Sequence, residues 1–259
     1  PEEMGLGFRI LLLLIGAGLF VRSLQRLRQQ DLGFNPEHVL EVGIDPRIAG
    51  YKPGQLNGLY QALLDRVNAL PGVRLSSLSL YSPMTSNWSG GISVEGYLAR
   101  SGREAWSQWV RVGPRYCETA GMTVRLGRDI GPQDTEGAPK VAVINESFAR
   151  RYFPDQNPIG KRFSMDVPAK AYEIEVVGVV KDFKFNRPQQ EFWPVFFVPL
   201  AQSGGDDASR YAADLEVRAV GDPASIAGLV RQAVHQVDKG LPVSRIRTLR
   251  EQVDDTLTQ

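Results

Sequence analysis

The chain has 259 residues, 42% of them hydrophobic, enough to bury the core of one large or two small domains. Thirty Lys and Arg face twenty-nine Asp and Glu, and the resulting net charge of +1 removes any global electrostatic case for nucleic acid. Cys117 is the sole cysteine, which excludes an intrachain disulfide and a zinc–cysteine cluster.

From Leu6 to Val21 the sequence is apolar apart from Arg9. About sixteen residues at 1.5 Å rise span roughly 24 Å, short of the ~30 Å hydrocarbon core of a bilayer. A signal peptide would need a small-x-small cleavage site, and "LFVRSLQRL" offers none. A buried core helix should show a polar face, yet Ile10–Ile15 is apolar all round. A truncated transmembrane helix over residues 1–21 fits best, with Gly16 and Gly18 suited to close packing. Arg22, Arg26 and Arg28 then stand where the helix leaves the lipid. The first residue is Pro rather than Met, in keeping with a fragment of a longer protein. Ser23–Gln30 continues as a stalk, and Gly33 and Pro36 end it in a linker that completes residues 22–37.

"HVLEVGIDP" alternates with Leu40, Val42 and Ile44 on one face and reads as a strand. Leu56, Leu59, Tyr60, Leu63, Leu64, Val67 and Leu70 form one helical stripe, stopped by Pro71-Gly72. "VRLSSLSLY" is a second strand whose pattern slips between Ser76 and Leu78, as a bulge or a register change would make it. "ISVEGYL", "WSQWVRVGP" and "VAVI" read as further strands, and "RYCETAGM" as a short helix. Asn145 caps "ESFARRYF", which packs through Phe148, Tyr152 and Phe153. "YEIEVVGVVKDF" is a strand buried on both faces from Ile174 to Val180. "FWPVFFVPL" is a strand that Pro194 and Pro199 push toward a sheet edge. After the linker "AQSGGDDAS" come the strand "YAADLEVRAV" and a helix opened by Asp222-Pro223, striped by Ile226, Leu229, Val230, Ala233, Val234 and Val237. The strand "LPVSRI" and a last helix, opened by a Thr248–Glu251 capping box, close the chain. The fold class is α+β: two strand–helix–strand units flank a β-rich insert.

Reactive groups are sparse. His38 precedes a strand and His235 lies on a helix, neither in a metal-binding spacing, so both read as surface or packing residues. Cys117 has no motif tying it to either histidine and reads as a small packing residue, half-buried. Asp129, Asp134 and Glu136 share one loop, but without EF-hand spacing they read as a solvated turn rather than a calcium site. Arg150, Arg151, Lys161 and Arg162 lie among aromatics, and at a net charge of only +1 they read as helix-edge residues rather than a nucleic-acid surface. Asn87-Trp88-Ser89 is a glycosylation sequon, of consequence only in a eukaryotic secretory route. No catalytic, metal-binding or cofactor-binding residue is assigned, and no cofactor is expected.

The phrases "LLIGAGLFVRSLQRL", "DLGFNPEHVL", "LYQALLDRVNALPGV", "VGPRYCETAGM", "LGRDI", "VAVINESFARRYFP", "NPIGKRF", "EVVGVVKDFK" and "VFFVPLAQ", taken in order, resemble the extracytoplasmic core domain of MacB-like ABC-transporter permeases. The likeness runs from about Leu11 to Leu257 and includes the duplicated orphan-permease branch of that family; Cys117 stands where such permeases often carry an aromatic. The resemblance implies a porter-like part of two halves, 38–119 and 207–259, around a sabre-like insert, 120–206. The second half ends in a stalk helix, Leu249–Leu257, that leads back to the membrane.

It further implies a non-catalytic domain that passes ATP-driven motion across the bacterial inner membrane to a periplasmic substrate or partner. The ATPase would be a separate subunit reached through the membrane part, with a second permease half and a periplasmic adaptor as further partners. Loops Ser82–Gly91 and Gly127–Pro139 are the candidate partner surfaces. With both ends in one membrane bundle, Arg22 and Leu257 would leave the same face within roughly 20 Å. Two rival readings remain: a single-pass anchored sensor or ligand-binding module, and an anchored hydrolase using Cys117 with a histidine.

Overall fold

The computed structural model describes residues 11–16, 31–85, 88–98, 105–184, 191–202 and 207–257. Residues 11–16 are helical (α1), with Leu11–Ile15 exposed. Among the described residues no helix is long and apolar enough to cross a membrane. Most of the expected membrane helix and the stalk over 22–30 lie outside the described residues.

The first strand–helix–strand unit is β1 (Val39–Ile44), α2 (Pro53–Asn68) and β2 (Val73–Ser79). The insert carries β3 (Trp88–Gly91), β4 (Ser93–Val94), β5 (Trp106–Val112), α3 (Tyr116–Ala120), β6 (Val124–Gly127) and β7 (Val141–Asn145). It continues through α4 (Glu146–Tyr152), β8 (Arg162–Ser164), β9 (Ile174–Val180) and β10 (Val195–Pro199). The second unit is β11 (Asp214–Ala219), α5 (Ala227–Val237) and β12 (Val243–Thr248), followed by α6 (Leu249–Leu257).

Local chemistry sets the helix starts. Pro53 pre-sets the first turn of α2, and Gln55 Oε1 accepts from Lys52 N–H at 2.9 Å. Asn145 Oδ1 accepts from Phe148 N–H at 3.0 Å and opens α4. Asp222 accepts from Ala224 N–H, starting a 3₁₀ turn over Pro223–Ile226 that leads into α5. At α6 both arms of the capping box form: Thr248 N–H to Glu251 at 2.7 Å and Glu251 N–H to Thr248 Oγ1 at 3.1 Å.

The two strand–helix–strand units interlock rather than stand apart. Their strands run in the order β12-β1-β11-β2, so β11 fills the gap between β1 and β2 and is antiparallel to both. That is the split β-α-β arrangement, with α2 and α5 side by side on one face. Leu40, Val42, Leu56, Leu63, Val67, Leu215, Val217, Val230 and Val234 make the core of that layer. Leu229 differs from the expected stripe and is exposed.

A junction at Ser79↔Val112 joins this sheet to the insert, whose strands continue as β5-β10-β7-β9-β8-β4. β3 and β4 hydrogen-bond to β5 and β8, members of the insert sheet. On one side of this sheet Phe148 of α4 sits 5.3 Å from Phe163 and 6.0 Å from Phe196, ring centre to centre. On the other side a third cluster joins the two parts: Val112, Val143 and Phe197 of the insert meet Phe34, Val39, Tyr116, Leu249 and Val253.

Two expectations are corrected here. β2 has no irregularity between Ser76 and Leu78, where both of its faces are covered; its register shift comes earlier, at Arg74, which is skipped between the pairs Arg218↔Leu75 and Ala219↔Val73. β10 is central, parallel to β5 and antiparallel to β7. Its prolines cost no ladder bonds. Pro194 precedes the strand and accepts from Gln108 N–H, while β7 pairs only as far as Phe196 and Phe197, short of Pro199.

Candidate functional site

The face of β12-β1-β11-β2 turned toward α3 and α6 is polar, and the strand register dictates it. Because side chains alternate, Leu40, Val42, Leu215, Val217 and Ile246 point to the α2/α5 layer, and their neighbours point the other way. One row across the sheet therefore reads Arg247–Glu41–Glu216–Ser77, and the next reads Arg245–Gly43–Asp214–Ser79. Glu41 and Glu216 are 0% exposed and Asp214 is 2% exposed, far from the usual place of carboxylates.

The partners are unequally shared. Arg245 is paired with Asp214, which also accepts from Ser82 N–H at 3.2 Å. Ser79 donates to Glu216 Oε1. Arg247 Nε lies 3.5 Å from Glu41, and the same guanidinium donates to Gln252 of α6 and comes within 3.8 Å of Asp255. Gln252 in turn donates to Pro83 O, which pins α6 over Ser82–Met84. Among the described residues, both Glu41 oxygens, Glu216 Oε2, Ser77 Oγ and the Tyr116 hydroxyl have no hydrogen-bond partner.

Burial raises the Glu41 carboxyl to about 8; Asp214 adds to the rise, and Arg247 and Arg245 oppose it. Burial, then Asp214, raises Glu216 well above its ordinary range. Burial raises Asp214 too, against the pull of Arg245. The Tyr116 phenol is pushed far up by burial and then by Glu216.

Beside this row the linker is fastened down. Arg218, 8% exposed, donates to Thr119 O at 2.8 Å, Asn35 O at 3.0 Å and Glu37 O at 3.1 Å. Arg250 of α6 pairs with the Glu37 carboxylate. Gly33 lies so close to the Asp182–Phe183 backbone that a Cβ would meet Asp182 O at 2.1 Å, so glycine is required there. Residues 31–37 and the start of α6 are thus tied to one body. Arg22, the other reference point for the expected common face, lies outside the described residues.

The residues singled out from sequence scatter. His38 is exposed at φ 64°, with Nδ1 2.7 Å from Gly221 O, and His235 is exposed on α5. Cys117 is fully buried rather than half-buried, its thiol driven far up by burial and by Asp129. The acidic loop is solvated at Glu136 but anchored at its other two acids. Asp134 is 4% exposed and accepts from Arg128 at 2.6 and 2.8 Å. Asp129 receives the Ile130 and Glu118 N–H groups, and Glu136 lies 3.7 Å from Arg210.

Among the described residues no group of three His, Cys, Asp or Glu could hold a metal ion. Arg150 pairs with Asp182 at 2.5 Å and Arg162 with Glu175 at 2.8 Å. Arg151 lies over the Tyr152 ring, and Lys161 is half-buried. Asn87 of the sequon lies outside the described residues. Of the candidate partner loop Ser82–Gly91, Ser82–Met84 is buried beneath α6, while Thr85 and Ser89 are exposed. The other candidate loop borders a cavity of about 160 Å³ against α2, lined by Tyr60, Leu64, Val112, Pro132 and Pro199.

Sequence reasoning missed Glu41, Asp214 and Glu216 because an acid in an alternating strand reads as outward-facing. One signal was available: acids at alternate positions of β1 and β11 match Arg245 and Arg247 of β12.

Comparison with known proteins agrees with the fold and the order of elements. Over 71 residues the chain is 34% identical to the macrolide export ATP-binding/permease protein MacB of Mannheimia succiniciproducens. That match spans 27% of this chain and 10% of that protein. The crystal structure of the periplasmic region of MacB from Actinobacillus actinomycetemcomitans shares the fold, with TM-score 0.53 and 15% identity over 90% of this chain and 98% of that one. The extracellular domain of the noncanonic ABC-type transporter YknZ from Gram-positive bacteria gives TM-score 0.45 and 16% identity, covering 80% of this chain and 100% of that one. The family of MacB-like periplasmic core domains matches residues 4–236, nearly the whole chain, and it is to this family that the chain belongs.

Proposed function

We propose that the chain transmits ATP-driven conformational change from an ABC-transporter permease's membrane part to a periplasmic substrate or partner. Its porter-like part is 38–119 together with 207–259, which holds the interlocked body of β1, α2, β2, β11, α5 and β12, and its sabre-like part is 120–206. The domain itself is non-catalytic. The ATPase is a separate nucleotide-binding subunit, the membrane is the bacterial inner membrane, and a second permease half and a periplasmic adaptor are the other partners.

The observation that carries this reading is the joint between the two chain ends. Glu37 and Arg250 pair, Arg218 holds the linker, and Leu249 and Val253 enter the cluster shared by both parts. A push on either end reaches a single packed body, as rigid-body transmission requires. The hydrolase alternative gains no support, because Cys117 is buried and its thiol is held protonated.

The test uses the full-length permease in nanodiscs with its ATPase. Spin labels go on exposed Arg231 and Asn157, with a third at the membrane end of the N-terminal helix. A non-hydrolysable ATP analogue should leave the Arg231–Asn157 distance unchanged and shift both distances to the membrane label. If all three distances stay fixed, transmission is refuted; if only the Arg231–Asn157 distance changes, the rigid body is refuted.

A further inference from the structure

We propose that Glu41, Glu216 and Tyr116 form a buried proton-binding site that latches α6 to the sheet. α6 stays seated while the row holds its proton and loosens when the row gives it up.

The argument starts from charge and register. Glu41 and Glu216 face each other across β1 and β11, and directly paired residues have Cβ atoms about 5 Å apart. Two carboxylates at that spacing, away from water, do not both stay ionised without cations of their own. The cations are committed elsewhere: Arg245 to Asp214, and Arg247 to Gln252 and Asp255 as well as Glu41. Glu41 keeps two oxygens without a hydrogen bond, Glu216 keeps one, and the fully buried Tyr116 hydroxyl beside them has no partner. A protonated carboxyl relieves both problems, since it removes one negative charge and supplies a donor where acceptors crowd.

The groups facing Glu41 come from every packed element. β11 supplies Asp214 and Glu216, and β12 supplies Arg245 and Arg247. α3 supplies Tyr116 and Cys117, and α6 supplies Asp255 through Arg247. At the solvent side of α6 stand Glu37 and Arg250.

Arg247 is the mechanical link, because one guanidinium serves both Glu41 and Gln252. Ionised Glu41 draws Arg247 to itself and calls for water, and α6 is the cover that must yield to admit it. A carboxyl whose folded value is raised steadies the folded arrangement at low pH. The contribution is complete below the ordinary 4.5 and is lost as pH rises through about 8. The inference stands whether or not α6 continues into a membrane.

The test is amide hydrogen exchange of Leu249–Leu257 in the 259-residue chain, from about pH 6 to about pH 9.5, after correction for intrinsic rates. In the unaltered protein, α6 protection should fall by up to tenfold per pH unit from about pH 6 to about 8 and level off above that, while α2 and α5 keep theirs. Glu41→Gln mimics the protonated form in shape, and it should flatten this dependence with the melting temperature at pH 7 preserved. Glu216→Gln serves as the second variant and should weaken the dependence. Protection that is flat in the unaltered protein, or equally steep in Glu41→Gln, would overturn the proposal. So would α6 and α2 losing protection together, which would mean global unfolding rather than a latch.

Discussion

Replacing Arg218 by methionine should unfasten the linker from the body. The side chain is buried and donates to three backbone carbonyls at 2.8, 3.0 and 3.1 Å. Hydrogen bonds from a charged donor are worth about 1.5–3 kcal/mol each, and a lost one leaves an unpaired acceptor behind. The three do not simply add. Asn35 and Glu37 can turn their carbonyls to water once released, and burial of the guanidinium itself opposes its charge. Asn35 N–H also keeps its bonds to Ala120 O and Gly121 O. A net loss of about 3 kcal/mol follows, which for a chain of this size lowers the melting temperature by roughly 6–12 °C. Circular dichroism melts measure it, and limited proteolysis should find a new cut between residues 31 and 38. Arg218→Lys should recover less than half, because one ammonium cannot span three carbonyls set apart on two segments. A melt within about 2 °C of the unaltered protein would refute the reasoning, as would full recovery by lysine.

The Asn145 side chain makes four hydrogen bonds in the insert. It accepts from Phe148 and Val195 N–H and donates to Asp182 and the Trp193 carbonyl. Asn145→Ala should cost about 3 kcal/mol in urea unfolding, seen as a lower midpoint with an unchanged slope; an unmoved midpoint would show that the network does not hold α4. Cys117, fully buried with its thiol driven far up, should stay unmodified by a water-soluble maleimide in the native protein and react once urea unfolds it. Prompt native labelling would mean that the α3 cluster is open.

Much of the fold was legible because local chemistry and tertiary packing agree. The stripes of α2 and α5, the Asn145 cap, the Thr248 box and the doubly buried β9 follow from spacing alone. What was not legible depends on partners distant in sequence. Pro199 looks like an edge signal until β7 is seen to stop pairing before it. Glu41 looks solvent-facing until α3 and α6 are placed over it. Ser76 and Ser77 look like a slipped pattern until β2 is seen covered on both faces, with Ser76 donating to Asn68. In each case the sequence carries the side chain and the topology decides its surroundings.

The C-terminal helix shows how this bears on function. From the family resemblance it is expected to be a stalk. In the structure Leu249, Gln252 and Val253 are buried, whereas Glu251 and Asp255 are exposed. Leu249, Gln252 and Val253 follow helical spacing, so α6 is seated on the body at its root, with Glu251 and Asp255 on its open side. On the proposed function, a helix held this way would work as a lever. A sideways load on its outer end is resisted at Leu249 and Val253, which belong to the cluster shared with Phe197 and Val143 of the insert. The load also bears on Arg250, whose partner Glu37 sits in the linker at the other end of the chain. On the proposed function, motion arriving by either route would enter the body at one place, beside the buried carboxyls Glu41, Asp214 and Glu216. A pure stalk would need neither the buried Gln252 nor the Glu37 pair, and their presence is why the root of α6, rather than either surface loop, is where coupling between membrane and periplasm is to be sought.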